Sequence, residues 1–209
     1  MLLGYLKLDY EFVPANQETW AADAQALVDG GFHFPNLPMI EDGDFKLSET
    51  HAILEYLSEK YGDGTLCGKD VIDRAVVRQL YGVVTDLFFS LMPAIGSPDY
   101  KAKVQEASAE GSTLVDRVKK VESFLQGKEF LVGYFTYVDV YLATIFFFLN
   151  NMFQSAEIEN PLNTKILYDH AVRVFGLPGV EDWFGSEEFK NQVVPIPWIK
   201  ICDFVDPSA

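Results

Sequence analysis

The segment before the first predicted turn is apolar, as expected of a buried strand. Residues 34–40 carry mostly apolar side chains, but they include Pro38, whose ring nitrogen cannot donate a hydrogen bond to a sheet. Pro38 therefore has to lie at an edge, a bulge or a turn. The Leu37–Pro38 bond is also one of the few places where a cis peptide is tolerated. The Asp42-Gly43 pair that follows is a strong hairpin signal, so the pattern predicts a strand ending in a tight turn.

After this turn the pattern changes from the period of a strand to the period of a helix. Residues 45–47 alternate outward and inward, as a returning strand should. The segment Ser48-Glu49-Thr50 comes next and can cap a helix. The apolar side chains beyond it recur at helical spacing, at Ile53, Tyr56, Leu57 and Tyr61. The sequence thus predicts strand, turn, strand and helix in this order.

This predicted corner has a chemistry that suits a small anionic peptide. A helix N-terminus has unpaired N–H groups and partial positive charge, so it attracts a carboxylate. Thr50 adds a hydroxyl at that point. If the peptide bond before Pro38 is cis, the backbone groups of Leu37 turn away from the sheet and could pair with an extended peptide. The alternative, a hairpin that only packs against a helix, stays open on these grounds.

The residues before the corner predict two further helices and one strand. Residues 1–9 have the pattern of the end of an amphipathic helix, and residues 10–14 that of a short strand. Residues 18–28 form a helical pattern that ends at Gly30-Gly31, as helices often do.

The turn-rich residues 62–65 are the best candidate for a domain boundary. Everything after them has a helical pattern. Long helices are predicted at residues 70–95 and 98–126, and their antiparallel pairing is the simplest way to bury both apolar faces.

The second half of the chain begins its central helix with a clear signal. Thr136 and Asp139 have the spacing of a capping box, and the helix after them is apolar nearly all round, so it should be buried. Pro161 is expected to open another helix, and residues 177–183 to precede the last amphipathic one. The tail from Val194 should lie extended over the first domain.

The composition describes an ordinary globular protein and excludes several function classes. Of the 209 residues, 49% are hydrophobic and 22% are charged. The net charge of −15 argues against nucleic acid and an anionic membrane as partners, since both need basic patches. The longest apolar run, residues 138–149, is interrupted and too short to span a bilayer. Cys67 and Cys202 lack motif spacing, the histidines are scattered and no secretory signal is visible, so we expect a cytoplasmic protein without a metal.

The corner also resembles a known family. The segment 34–38 (Phe-Pro-Asn-Leu-Pro), the Asp42-Gly43 turn and the Glu49-Thr50 pair are similar in order and spacing to the glutathione-binding half of the glutathione S-transferase family, closest to its mu class. The family usually has Gln or Glu followed by Ser where this chain has Glu49-Thr50, and threonine keeps the hydroxyl. The resemblance extends over nearly the whole chain.

This resemblance implies an α/β thioredoxin-like domain in residues 1–64 and an all-α helical-bundle domain in residues 65–209. In the family the first domain opens with a central strand and then a helix. Residues 1–10 resemble the tail of that helix and the strand after it, so we expect the first strand to be absent and the domain to be incomplete.

The resemblance also implies two sets of site residues. The glutathione-binding set is Trp20, Asn36, Leu37, Pro38, Glu49, Thr50 and Asp86. Within it, Glu49 and Thr50 would hold the γ-glutamyl group, Leu37 would pair with the cysteinyl backbone, and Asp86 would reach glutathione on the partner of a homodimer. The set that edges the pocket for an apolar substrate is Thr85, Phe88, Met92 and Gly96. Plain packing of Trp20 and of the apolar stripe, and a solvated position for Asp86, are the alternatives.

No catalytic residue can be assigned, because the tyrosine that the mu class uses lies just beyond the missing strand. Tyr5, in the triplet Leu3-Gly4-Tyr5, has similar surroundings but falls on the predicted helix, where packing is its expected role. Gln17 and Ala24 stand where the family has the arginine and the lysine that bind the glycyl carboxylate.

Three hypotheses follow. The first is a glutathione S-transferase, with glutathione as substrate, that conjugates its thiol to apolar electrophiles. The second is a relative without chemistry, which binds glutathione or hydrophobic ligands or serves as a dimerisation module. The third is a truncated form of an active enzyme.

Overall fold

The structure is a computed structural model. It describes residues 1–16, 18–95, 97–161, 163–184, 186 and 189. Two helices, a hairpin and a third helix come first, and helices alone follow within the described residues. The elements are α1 (Leu2–Tyr5), α2 (Trp20–Asp29), β1 (Met39–Asp42), β2 (Phe45–Ser48), α3 (Thr50–Tyr61), α4 (Val71–Leu91), a 3-10 turn (Met92–Ala94), α5 (Tyr100–Ser108), α6 (Thr113–Leu125), α7 (Tyr137–Ala156), α8 (Lys165–Phe175) and α9 (Val180–Phe184).

The predicted hairpin is confirmed, with a shorter first strand than expected. Strands β1 and β2 are antiparallel, and Asp42 faces Phe45 across a two-residue turn in which Gly43 has φ +62°. Glycine adopts this conformation without steric cost, which explains its place in the turn. The first strand begins only at Met39, because the prolines before it donate no ladder hydrogen bond. Phe34 is 79% exposed, so the expectation that this segment is buried is wrong.

The strand predicted at residues 10–14 does not form. This segment is coil, and its apolar side chains face solvent, with Phe12 59% and Val13 75% exposed. A strand needs a neighbour that takes up its backbone hydrogen bonds. In the described part of the chain the sheet consists of β1 and β2 alone, so no such neighbour is present.

The helical domain is built around α7, as its uniformly apolar pattern predicts. Its first residue, Tyr137, and Phe153 near its end are both 0% exposed, and the helix packs between α4 and α8. The capping box of Thr136 and Asp139 is confirmed, since both reciprocal hydrogen bonds are present. Cys67, just before α4, is a buried free thiol whose pKa burial raises to about 11.

Two predicted helix boundaries are wrong. Residues 98–126 form two helices, α5 and α6, because Gly111 adopts φ +79° and the Ser112 hydroxyl accepts a hydrogen bond from Val115 N–H at the start of α6. Helix α8 begins at Lys165, after the N-cap residue Thr164, and Pro161 lies outside it. The predicted extended tail from Val194 lies outside the described residues.

Helix α4 exposes several large apolar side chains among polar ones. With its 3-10 turn (Val71–Ala94), it is long and apolar enough to cross a membrane by length and composition alone, and 28% of its most apolar window is buried. Core helices of soluble proteins pass the same test, so the finding is weak evidence for a membrane. The exposed face of α4 is defined here by Val71, Ile72, Val83 and Phe89, which are 76%, 71%, 37% and 57% exposed.

Helices α1 and α9 meet through two glycines. A Cβ atom on Gly4 would lie 2.4 Å from the carbonyl oxygen of Gly179, and one on Gly179 would lie 2.2 Å from that of Gly4. Gly179 also has φ +82°. Only glycine fits at both positions without moving a helix.

Candidate glutathione site

The predicted corner forms, with Leu37 and Glu49 on its two sides. The Leu37–Pro38 peptide bond is cis, and Leu37 is 46% exposed. The side chain of Asn36 connects the two sides. Its Oδ1 accepts the N–H of Leu37 at 2.9 Å, and its Nδ2 donates to Glu49 Oε1 at 3.1 Å. The Leu37 N–H, which we expect to pair with a bound peptide, therefore already donates to the side chain of Asn36.

The start of helix α3 has unusual backbone geometry. Glu49 has φ +73°, a conformation that non-glycine residues rarely adopt and that concentrates at functional sites. The expectation that the segment Ser48-Glu49-Thr50 caps the helix through a side chain is wrong. No side-chain cap bonds the first turn, and the Ser48 hydroxyl donates instead to the carbonyl oxygen of Phe34. An uncapped helix N-terminus leaves N–H groups and partial positive charge for an anion.

Trp20 and the residues around it lie apart from these contacts. Trp20 is the half-buried first residue of α2, and none of the described hydrogen bonds or ring contacts joins it to Leu37 or Glu49. Ala24 lies one turn further along the same helix, and Gln17 is outside the described residues.

The residues predicted to edge a substrate pocket lie at the end of α4. Thr85 donates a hydrogen bond to the hydroxyl of Tyr141 at 3.2 Å, and the ring of Phe88 packs against Phe148 with centroids 5.4 Å apart. Met92 is 37% exposed and begins the 3-10 turn. Gly96 lies outside the described residues. Thr85, Phe88 and Met92 thus lie along one stretch of the chain, and the ring of Phe88 is packed against Phe148.

An aromatic contact that the sequence did not reveal joins the corner to the helical domain. His51, which follows Thr50, stacks on Tyr81 with ring centroids 4.1 Å apart, and Tyr81 stacks on Tyr141. The Nε2 atom of His51 lies 2.9 Å from the hydroxyl oxygen of Tyr137. The signal that could have found Tyr81 is its position one helical turn before Thr85.

Burial shifts the pKa values of the side chains in this aromatic contact. It raises the pKa of Tyr81 to about 12 and raises that of Tyr137 further, with the nearby carboxylate of Glu55 adding to the latter. Burial also lowers the pKa of His51, against the opposing effect of Glu55. The tyrosine hydroxyls therefore keep their protons at neutral pH, and they can donate hydrogen bonds.

Asp86 is paired within its own chain. Its Oδ2 lies 3.2 Å from a guanidinium nitrogen of Arg117 on α6, and the same guanidinium also donates to the Asp86 carbonyl oxygen and to Ser90 Oγ. The side chain of Asp86 is still 57% exposed. Its carboxylate is thus held in place and open to solvent at the same time.

The position of Tyr5 is explained by packing. It ends helix α1, its ring centroid is 4.6 Å from that of Phe135, and burial raises its pKa. A hydroxyl that activates a thiol would have to face the corner, and Tyr5 has no described contact with Leu37 or Glu49.

Comparison with solved structures establishes the fold. The crystal structure of the glutathione S-transferase Blo t 8 superimposes with a TM-score of 0.74 at 22% identity, over 96% of this chain and 91% of that chain. Rat hPGDS in complex with a quinoline gives a TM-score of 0.70 at 20% identity, over 88% of this chain and 86% of that chain. The architecture is therefore a thioredoxin-like domain followed by a helical domain.

Comparison of sequences gives the family. A family profile described as the glutathione S-transferase N-terminal domain matches residues 1–59. Glutathione S-transferase Mu 1 of Oryctolagus cuniculus is 30% identical over 198 residues, which cover 90% of this chain and 85% of that protein. The chain belongs to the glutathione S-transferase family.

Proposed function

We propose that the protein binds glutathione in the corner between Leu37 and the start of α3 and conjugates its thiol to apolar electrophiles. The observation that carries the proposal is the uncapped helix start at Glu49-Thr50, with the strained backbone of Glu49, facing an exposed Leu37. The Glu49 carboxylate is suited to the γ-glutamyl ammonium group, and the hydroxyl and helix N–H groups at Thr50 are suited to its carboxylate.

The remaining glutathione contacts are assigned by resemblance. Leu37, with Pro38 after it, would pair with the cysteinyl backbone once the ligand displaces the Asn36 side chain from the Leu37 N–H. Trp20 would lie toward the glycyl end. Asp86 would reach the glutathione of a partner subunit, and its exposure beside Arg117 supports this role.

The electrophile is proposed to bind along the end of α4, at Thr85, Phe88, Met92 and Gly96. The half-buried side chain of Phe88 supports an apolar substrate there. A role in detoxification follows if such electrophiles are foreign compounds.

A second candidate function is glutathione or hydrophobic-ligand binding without chemistry. A free thiol near its reference pKa is only a few per cent thiolate at neutral pH, and lowering that pKa by about two units needs roughly 2.7 kcal/mol of thiolate stabilisation. The family supplies much of this with a hydroxyl. The observation that favours the second function is that Tyr5 packs against Phe135.

We also propose a cytoplasmic homodimer that uses the exposed face of α4. Exposed apolar side chains can mark a protein–protein interface, and α4 exposes four of them along its length. We further propose that the first domain comprises residues 1–64 and the second domain residues 65–209.

Calorimetric titration with glutathione, together with a thiol-conjugation assay on a chloronitrobenzene substrate, tests these functions. Binding with conjugation above the uncatalysed rate supports a transferase. Binding without conjugation supports the second candidate, and the absence of both contradicts the proposed site.

The matched variant for the corner is Glu49→Gln, which keeps the size of the side chain and removes its charge. We expect glutathione affinity to fall about tenfold, because a charge-assisted hydrogen bond to the ammonium group is lost. Glu18→Gln, at an exposed position before α2, serves as the charge control and should leave affinity unchanged. Equal affinity of Glu49→Gln and the wild type would show that the γ-glutamyl group binds elsewhere.

A further inference from the structure

The proposed glutathione site is built from two segments that lie apart in the chain. Leu37 belongs to the loop before β1, whereas Glu49 and Thr50 begin helix α3, and the whole hairpin lies between them. A ligand that touches both segments needs a fixed distance between them. Something in the protein must therefore set this distance.

Two side-chain hydrogen bonds connect the segments. The hydroxyl of Ser48 donates to the backbone carbonyl oxygen of Phe34 at 2.6 Å, and Asn36 Nδ2 donates to Glu49 Oε1 at 3.1 Å. Within the described part of the chain, these are the hydrogen bonds that connect residues 33–38 to β2 and to α3. The Phe34 ring is exposed, so its packing does not anchor the loop.

The Ser48 hydrogen bond is the better protected of the two. Ser48 is 5% exposed, and it ends β2 opposite Met39 in the ladder. Asn36 and Glu49 are both exposed, so water competes with the hydrogen bond between them. Glu49 follows Ser48 directly, so a displacement of Ser48 moves the helix start relative to Leu37.

We propose that Ser48 is a positioning residue of the glutathione site, whose hydroxyl holds the Leu37 loop at the correct distance from Glu49 and Thr50. The inference rests on the proposed function, because it assumes that glutathione binds across this corner. Ser48 itself touches no ligand. It acts by letting both halves of one peptide bind at once, which raises the affinity of the joined ligand above that of either half.

The test compares a joined ligand with its two halves. S-methylglutathione contacts both segments, glutamate γ-methylamide carries only the γ-glutamyl half, and N-acetyl-S-methylcysteinylglycine carries only the cysteinyl half. NMR chemical-shift titration measures all three affinities for the wild type and for Ser48→Ala. We expect Ser48→Ala to weaken S-methylglutathione about tenfold and to change the half ligands less than twofold.

Two conservative variants keep the test informative. Ser48→Thr keeps the hydroxyl and should restore the affinity of the joined ligand. Ser48→Cys has nearly the same volume and a weaker donor, so its affinity should lie between those of Ser48→Ala and the wild type. Ser123→Ala, at an exposed position on α6, is the control for loss of a serine hydroxyl elsewhere and should match the wild type.

Two results would overturn the inference. One is unchanged binding of S-methylglutathione by Ser48→Ala. The other is a parallel loss of all three ligands, which would indicate general destabilisation. Failure of the wild type to bind S-methylglutathione would overturn the proposed function instead, so the two failures are distinguishable.

Discussion

A single buried carboxylate holds together the start of the central helix. Asp139 is 0% exposed, and it accepts hydrogen bonds from Leu131 N–H, from the N–H and hydroxyl of Thr136, and lies 3.0 Å from His170 Nε2. Its donors come from the loop before α7, from the N-cap of α7 and from α8. Removing such a group leaves several buried donors without partners, which costs more than the bonds themselves contribute.

We therefore expect Asp139→Asn to destabilise the protein by about 3 kcal/mol. The NH2 group of the asparagine would replace an accepting oxygen, and it cannot accept the hydrogen bonds of the Thr136 N–H and hydroxyl groups. His170→Gln keeps an N–H donor close to the position of Nε2 and should cost about 1 kcal/mol. Urea unfolding followed by far-UV circular dichroism measures both. A smaller loss for Asp139→Asn than for His170→Gln would contradict this description of the cluster.

At the scale of elements, Asp42 ties the hairpin to helix α3. Its Oδ2 accepts hydrogen bonds from Lys60 Nζ at 2.7 Å, from Tyr56 at 2.8 Å and from Tyr61. The hydrogen bond from Lys60, followed by those from the tyrosines, lowers the pKa of Asp42 to about 2. Folding therefore favours the ionised carboxylate.

This gives a pH dependence with a definite sign. Because the pKa of Asp42 is about 2 in the folded protein and about 4 in an unfolded chain, its contribution to stability is complete above pH ~4 and is lost as the pH falls toward 2. Asp42→Asn should therefore be less stable than the wild type at pH 6, and the difference should be much smaller at pH 2.5, where the stabilisation is partly lost. Urea midpoints measure the difference, with Asp44→Asn in the turn as control. A difference that does not change with pH would contradict the assignment.

The elements that the sequence predicted correctly are those whose signal is local. Asp42-Gly43 determines its turn, and Thr136 with Asp139 determines a helix start, without help from distant residues. The break between α5 and α6 also had a local signal, Gly111 followed by a capping serine, which the apolar stripe on both sides concealed. The segment 10–14 failed for another reason, because a strand depends on a partner that its own sequence does not specify.

The candidate site also has features that the local sequence predicts and features that it does not. The positions of Leu37 and Glu49 follow from the proline, the turn and the helix start, all readable in order. The pairing of Asp86 with Arg117, and the stacking of His51 on Tyr81, depend on how helices far apart in the chain pack together. No spacing in the sequence contains that information.

At the scale of the whole molecule, the core lies mainly in the helical domain. The described part of the first 64 residues contributes few buried apolar side chains, at Leu2, Ile53 and Leu57, and α2 contributes none. The first unit therefore depends on its contacts with the helices for support. The exposed face of α4 offers a further apolar surface on the same molecule.

If this face is the dimer interface, Phe89→Glu should separate the subunits, because the new charge would be buried without a partner. We expect the dissociation constant of the dimer to rise at least tenfold, on the order of a hot-spot residue. Sedimentation velocity distinguishes a species of 23.6 kDa from one of twice that mass. Val172→Glu, on α8, introduces the same charge elsewhere and should leave the mass unchanged, and a wild type that is monomeric would contradict the proposal.

At the contact between Gly4 and Gly179 the main chains of the two segments approach closely, and the side chain of Trp183 lies next to them. A methyl group at either position would act as a wedge. It would push α9 outward together with Trp183 and Phe184. Because α1 also packs against α3, such a wedge would act on the helix that begins at the corner as well as on α9.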